Sequence, residues 1–208
     1  MWKSVSAWFI CVVLLWGAVS VTGESTGPDR ATIAPSGLLL TRSEDAPGPP
    51  RRGFGSSRGT DSVRARLVDG TLAQFCPKEG DTPEGQEGWE WKATTFDENG
   101  GVKERGQYLY VPVESDEEEV LVLHASGQAE TYVNGEPRGG DLYNAGNVHL
   151  PVLMHEGMNH LLFRAGRGQF KVRLYEPSSP AFLLTSDMTL PDLVVGEAAD
   201  TWGAVIII

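Results

Sequence analysis

A serine in a short glycine-bounded motif is the first residue of this 208-residue chain that could do chemistry. Gly55-Ser56-Ser57-Arg58-Gly59 matches G-x-S-x-G, the turn that exposes a nucleophilic serine between a strand and a helix. The flanking residues are proline, glycine and arginine, which predict neither a strand before the motif nor a helix after it. Nothing would hold the strained turn, so we interpret the match as accidental.

A histidine pair is the second candidate. His155-Glu156 followed by His160 approaches the zinc motif H-E-x-x-H, in which histidines four residues apart share one face of a helix. Here the spacing is five, and Gly157 and Asn159 break any helix. We predict a polar turn between two strands at this position, and no metal.

A carboxylate loop is the third candidate. Asp97-Glu98-Asn99-Gly100 offers the oxygen ligands that calcium prefers, but the partial D-x-N lacks the later glycine and glutamate of an EF-hand loop. We therefore predict no cofactor, with a structural calcium at this loop as the alternative.

Aromatic rings are the remaining route to a ligand, because sugars stack their apolar C–H faces on exposed rings beside amides and carboxylates. In the run 108–113 the alternate residues Leu109, Val111 and Val113 belong to the core, which leaves two tyrosines on the other face. A carbohydrate platform would comprise Tyr108, Tyr110, Tyr132, Asn134, Asp141 and Tyr143. The alternative is that these tyrosines cover a sheet or anchor loops through their hydroxyls.

Short apolar runs bounded by turn residues predict the elements that position these side chains. No stretch keeps a period of 3.6 for three turns, whereas Phe170, Val172 and Leu174 alternate with Lys171 and Arg173 as in a half-buried strand. The predicted fold is an all-β antiparallel β-sandwich. Its predicted strands are 63–68, 71–75, 89–96, 108–113, 120–124, 129–133, 148–154, 161–164 and 169–175.

Two turns are predicted from residue type. Asn134 and Gly135 accept the positive φ that a two-residue hairpin turn needs. Gly157 and Asn159 mark the turn that leads into the strand 161–164. All four are predicted structural turn residues.

Together these segments carry a resemblance. Tyr132-Val133-Asn134-Gly135, then Asp141-Leu142-Tyr143-Asn144, then the segment 157–163 resemble galactose-binding-like jelly rolls, in which a strand ends in V-N-G, a polar loop crosses the rim and a G-x-N turn follows. The resemblance covers residues 89 to 175. It implies a jelly roll of the type found at the N-terminus of secreted glycoside hydrolases and other hydrolases. That family includes carbohydrate binders, modules with only a packing role, and members with a structural calcium at a loop rim.

The amino-terminal residues predict the compartment. Lys3 precedes the apolar run 7–16, and small residues follow, so residues 1–23 have the layout of a secretory signal peptide. An uncleaved membrane anchor is the alternative. Cleavage predicts a secreted or extracytoplasmic protein with Cys76 as its one cysteine, which we expect to be a small buried apolar residue beside Phe75.

Composition divides the rest of the chain. Residues 24–61 are rich in Pro, Gly and Ser, which predicts a disordered linker. We predict that the jelly roll comprises residues 62–180. Residues 181–208 are predicted to form an extended segment and a terminal strand that could begin a following domain. The net charge of −11 disfavours nucleic acid and anionic lipid as partners. We predict no membrane association after signal cleavage.

The predicted function is that of a secreted, non-catalytic accessory module that binds carbohydrate or docks, as the N-terminal part of a larger secreted hydrolase. Its partners would be a glycan or the adjacent hydrolase domain. The chain itself is not expected to be an enzyme, because acid–base chemistry needs paired groups in a shaped pocket and the carboxylates here fall in turns. The alternative is a free-standing extracellular structural or protein-interaction protein.

Overall fold

The computed structural model describes residues 31–32, 36–43, 62–177, 179–189, 195 and 203–208. Its helices are α1 (Ser62–Asp69) and a 3₁₀ helix (Leu72–Gln74). Its strands are β1 (Ala31–Thr32), β2 (Gly37–Arg42), β3 (Trp89–Thr94), β4 (Tyr108–Ser115), β5 (Glu119–Ser126), β6 (Gln128–Val133), β7 (Glu136–Arg138), β8 (His149–Met154), β9 (Gly157–Ala165), β10 (Lys171–Tyr175), β11 (Leu183–Thr189) and β12 (Ala204–Ile207).

Two larger sheets hold ten of these strands. One is four-stranded in the order β1-β10-β5-β8, and the other is six-stranded in the order β3-β2-β4-β9-β6-β7. Every strand pair within them is antiparallel. The prediction of an all-β antiparallel fold is confirmed, and the arrangement is compatible with a jelly roll.

One hydrophobic core lies between the two sheets. Alternation along each strand sends Leu109 and Val111 of β4 into this core, where they join Val172 and Leu174 of β10. Phe170 is buried with them, as the sequence pattern predicts. Because both sheets contribute their inner faces to the same apolar cluster, the structure is a sandwich stabilised by burial of apolar surface.

A second apolar cluster covers the outer face of the six-stranded sheet. Val63 of α1 and Leu72 of the 3₁₀ helix pack there with Trp91, Tyr108 and Tyr110. The outer face of this sheet is therefore closed by the two helices, and its aromatic side chains are part of a core.

The predicted strands 63–68 and 71–75 are wrong, because the chain forms α1 and the 3₁₀ helix there. Val63 and Leu67 are one helical turn apart and pack toward the sheet, whereas Val68 is 89% exposed. An eight-residue helix makes little more than two turns. A periodicity test that requires three turns cannot detect it.

The disordered-linker prediction for residues 24–61 is wrong for β2. This strand lies between β3 and β4 in the six-stranded sheet, and Leu39 and Leu40 are each 1% exposed. Leu39 faces the sandwich core and Leu40 faces the helices, so both faces of the strand are apolar. The compact body therefore begins before residue 62. The other residues of this segment, apart from β1, lie mostly outside the described part of the chain, as does the predicted signal peptide.

The carboxyl-terminal strands form a separate two-stranded ribbon. β11 pairs with β12 in antiparallel fashion, with a register shift between Leu184 and Met188. Several apolar side chains of the ribbon are exposed, and Ile207 is 69% exposed. The prediction that residues 181–208 begin a following domain stays a prediction. In the described residues, neither helix has the length and apolar character that a membrane crossing requires.

Candidate functional site

The structure does not bring the predicted carbohydrate residues together as an exposed platform. Tyr108, Tyr110 and Tyr132 are buried in the cluster beneath the helices, because α1 and the 3₁₀ helix cover the face to which alternation directs them. The Tyr132 hydroxyl donates to Glu130 Oε2 at 2.6 Å. Burial is the main cause that raises the pKa of Tyr132 above its usual value, and the hydrogen bond to Glu130 is the second cause. These rings have no free face for a sugar.

The Asn134-Gly135 turn joins β6 to β7. The φ angles of Asn134 and Gly135 are 50° and 83°, the left-handed values that a two-residue turn of matching twist requires. The side-chain oxygen of Asn134 accepts a hydrogen bond from the His160 N–H at 2.8 Å, so this side chain links the turn to β9. The Gly135 Cα also lies close to the 3₁₀ helix, since a Cβ there would be 2.5 Å from the Ala73 nitrogen.

Asn159 organises the predicted turn at Gly157. Its side chain is fully buried; the amide donates to the carbonyls of His155 and Gly157, and the oxygen accepts the His155 N–H. The same oxygen accepts a hydrogen bond from Asn134. The φ of Gly157 is 94°, which favours glycine at this position.

The rim loop, residues 141–146, connects β7 to β8. Asp141 is buried, and its two carboxylate oxygens accept the N–H groups of Ala145 and Gly146 at 2.8 and 2.9 Å. The His124 ring nitrogen Nε2 binds the Gly146 carbonyl at 2.8 Å. Asp141 therefore shapes the loop, and Tyr143 at its tip is 81% exposed.

The loop at Asp97 is closed by hydrogen bonds from backbone N–H groups to the Asp97 carboxylate. Asp97 Oδ1 accepts the N–H groups of Asn99 and Gly101, both at 2.8 Å. These two bonds are the main causes that lower the pKa of Asp97, and Lys171 and Lys103 add smaller effects. The described part of the chain contains no group of three His, Cys, Asp or Glu side chains arranged to hold a metal ion.

The two histidines of the zinc-like motif have separate partners. His155 is exposed and lies 3.4 Å from Glu118, whereas His160 lies on β9 with Nδ1 2.6 Å from the Tyr110 hydroxyl. The turn consists of His155 and Glu156, so the prediction of a polar turn between two strands holds. Gly157 and Asn159, which the sequence predicts as turn residues, are instead the first and third residues of β9. The G-x-S-x-G motif at 55–59 lies outside the described residues.

A cleft of about 850 Å³ lies beside α1, and we call it the helix cleft. The floor is aromatic: the rings of Phe75 and Trp91 are 6.0 Å apart, and the Arg66 guanidinium carbon lies 5.2 Å from the Phe75 ring centre. The polar groups of its lining are Ser62, Arg66, Asp69, Thr71, Gln74, Cys76, Asp81, Thr82 and Glu84.

Carboxylates outnumber cations in the helix cleft. Asp69 accepts hydrogen bonds from the Thr71 hydroxyl at 2.6 Å and from its N–H at 2.9 Å, and these bonds lower the pKa of Asp69. Asp81 accepts the Lys78 N–H at 2.8 Å. Both carboxylates are thereby held in place as acceptors, with hydroxyl and amide groups around them. This set of groups suits a ligand with many hydroxyls.

Cys76 is exposed in the wall of the helix cleft, so the expectation that it is buried is wrong. Its Sγ lies 3.4 Å from the hydroxyl of Tyr110, which also binds His160. Burial is the main cause that raises the pKa of Tyr110 above its usual value, and the contact with Cys76 is the second cause.

Sequence reasoning missed the helix cleft because it treated 63–68 and 71–75 as strands. The available signal was the spacing of Val63 and Leu67, four residues apart, with Arg64 and Arg66 exposed between them. No protein-family model, no curated protein and no solved structure matches this chain. The resemblance to galactose-binding-like jelly rolls thus has only the sequence pattern as its support.

Proposed function

We propose that this chain is a non-catalytic β-sandwich module that binds a carbohydrate in the helix cleft. The observation that carries the proposal is the combination, in one open cleft, of the half-buried Phe75 ring with ordered carboxylates, hydroxyls and an amide. Sugars need an apolar surface for their C–H faces and hydrogen-bonding groups for their hydroxyls, and the helix cleft offers both.

The setting of the module is part of the proposal. Residues 1–23 have the layout of a signal peptide, which supports a secreted or extracytoplasmic location. The segment 89–175 resembles jelly rolls that accompany a catalytic domain in secreted hydrolases. We therefore propose a glycan and a neighbouring hydrolase domain as its partners.

The decisive experiment is a titration of the folded chain with a broad set of oligosaccharides, in which binding is measured by isothermal titration calorimetry. Gln74 and Glu84 are exposed, so Gln74→Ala and Glu84→Gln should weaken binding while leaving the circular dichroism spectrum unchanged. Tyr143→Ala is the matched control, because this exposed ring lies in the rim loop and not in the helix cleft.

Loss of binding in Tyr143→Ala, with Gln74→Ala unaffected, would move the carbohydrate site to the rim loop. Absence of binding to every glycan would contradict the proposal. The second candidate function, a free-standing extracellular protein-interaction or structural protein, is favoured by the exposed apolar side chains of the β11–β12 ribbon.

A further inference from the structure

A second cavity, of about 350 Å³, lies where several turns of the sandwich meet, and we call it the rim pocket. Its floor is apolar, since Val102 and Phe170 are buried beneath it. It shares no residue with the helix cleft. Its polar lining consists of Asp97, Lys103, Ser126, Asn144, Gln169 and Lys171.

The charge of the rim pocket is opposite to that of the protein. Two lysines and one carboxylate line it, although the chain as a whole carries a net charge of −11. In the described part of the chain, neither Lys103 nor Lys171 forms an ion pair. The helix cleft has the reverse balance, with one arginine and three carboxylates.

Asp97 offsets only part of the lysine charge, because a single carboxylate lies among two ammonium groups, and the attraction of both lysines helps to lower its pKa. Its Oδ1 accepts two backbone N–H groups, from Asn99 and Gly101. A further cation supports the same turn, since the Arg173 guanidinium donates to the carbonyl and the side-chain oxygen of Asn99 at 2.8 Å each. The pocket thus retains positive charge.

The neutral groups of the rim pocket are held in position. Gln169 donates its amide to the Lys103 carbonyl at 3.0 Å, which joins the loops on either side of the pocket. Asn144 belongs to the rim loop, has a φ of 56° and lies against Gly168. A ligand in the pocket would meet these side chains beside the two ammonium groups.

We propose that the rim pocket binds one anionic oxygen group, a carboxylate or sulfate, carried by an acidic saccharide. Ammonium groups form charge-assisted hydrogen bonds with such an anion, and these bonds are stronger than neutral ones. The amides of Asn144 and Gln169 and the hydroxyl of Ser126 would bind the sugar hydroxyls.

The test is an NMR titration of the full chain, in which the backbone amides of Gly101, Asn144 and Lys171 are monitored. Glucuronic acid is the probe, glucose is its neutral match, and sodium sulfate is the inorganic anion. We expect glucuronic acid to shift these amides at lower concentration than sulfate, and glucose to shift none of them. Equal binding of sulfate would overturn the saccharide assignment, and equal binding of glucose would overturn the anion assignment.

Variants locate the site. The double variant Lys103→Gln/Lys171→Gln should weaken glucuronate binding by about tenfold or more, as expected for loss of charged hydrogen bonds. Lys92→Gln, an exposed lysine of β3 outside the pocket, should leave binding unchanged. Asp97→Asn keeps the oxygen that accepts both N–H groups but removes the negative charge, so it should strengthen binding severalfold. Weaker binding in Asp97→Asn, or no effect of the double variant, would overturn the proposal.

Discussion

The side-chain amide of Asn134 donates a hydrogen bond to the side-chain oxygen of Asn159, with 2.9 Å between Nδ2 and Oδ1. Asn134 also binds the backbone of His160 through its own N–H and its side-chain oxygen. Asn159 closes the turn between His155 and Gly157. Two turns 25 residues apart in sequence are therefore one hydrogen-bonded unit that fixes the end of β6 against the start of β9.

Replacement of Asn159 by alanine should be among the more destabilising polar substitutions. It would remove a fully buried side chain and its hydrogen bonds to the part-buried polar groups of His155, Gly157 and Asn134, at a cost of about 1 to 3 kcal/mol in the free energy of unfolding. Denaturant unfolding measures this cost. Asn147→Ala is the matched control, and it should change stability by less than about 0.5 kcal/mol, because within the described part of the chain Asn147 is bonded through its backbone carbonyl and not through its side chain. Equal effects of the two substitutions would show that the buried network contributes nothing specific.

Gly135 should tolerate a side chain less well than Gly157, although both have positive φ. Gly157→Ala meets no atom within 4 Å, so only backbone strain of about 1 to 2 kcal/mol is expected. Gly135→Ala adds a contact with the Ala73 backbone, which should cost about 1 to 3 kcal/mol more. Thermal unfolding of the two variants gives the difference. A smaller loss for Gly135→Ala would argue against the close approach of the 3₁₀ helix.

The boundary of the compact body can be tested by truncation. A chain that starts at residue 31 retains β2 and should unfold cooperatively. A chain that starts at residue 62 loses Leu39 and Leu40 from two cores and leaves β3 without its partner, so we expect no cooperative transition. Circular dichroism during heating distinguishes them. A stable fold in the shorter chain would restore the linker interpretation for residues 37–42.

Stability should fall as the pH decreases below about 6.5, because of His124. Burial lowers the pKa of His124 from its ordinary value of 6.5; the bond to Gly146 opposes this, and His149, Lys171 and Arg173 reinforce it. Below pH 6.5 the unfolded chain therefore takes up a proton more readily than the folded chain, and the free energy of unfolding decreases. The His149 ring lies stacked on the His124 ring, with 4.1 Å between ring centres.

The measurement is denaturant unfolding between about pH 5.5 and 8, a range in which histidine is the main titrating side chain. His124→Phe keeps an aromatic ring and removes the titrating group, so its stability should depend less on pH than that of the unchanged chain. A chain that gains stability on acidification through this range would contradict the expected sign.

The amino-acid sequence by itself determined seven strands of the sandwich, β3 to β6 and β8 to β10, and the Asn134-Gly135 turn. Alternation of apolar and polar residues is local and needs no partner to be recognised, so Val172 and Leu174 could be assigned to the core and Lys171 and Arg173 to the other face. The positive φ of Asn134 and Gly135 also follows from residue type, because few residues accept it.

Only the tertiary structure decided what covers each face. Alternation placed Tyr108 and Tyr110 opposite the core, but whether that face meets water depends on α1 and the 3₁₀ helix, which come from a distant part of the chain. The same holds for β2, because its apolar residues are buried only when the strand lies between β3 and β4. The helix cleft and the rim pocket are formed by segments that are separate in sequence. Their charge balance could not be predicted, because local patterns do not specify which loops meet.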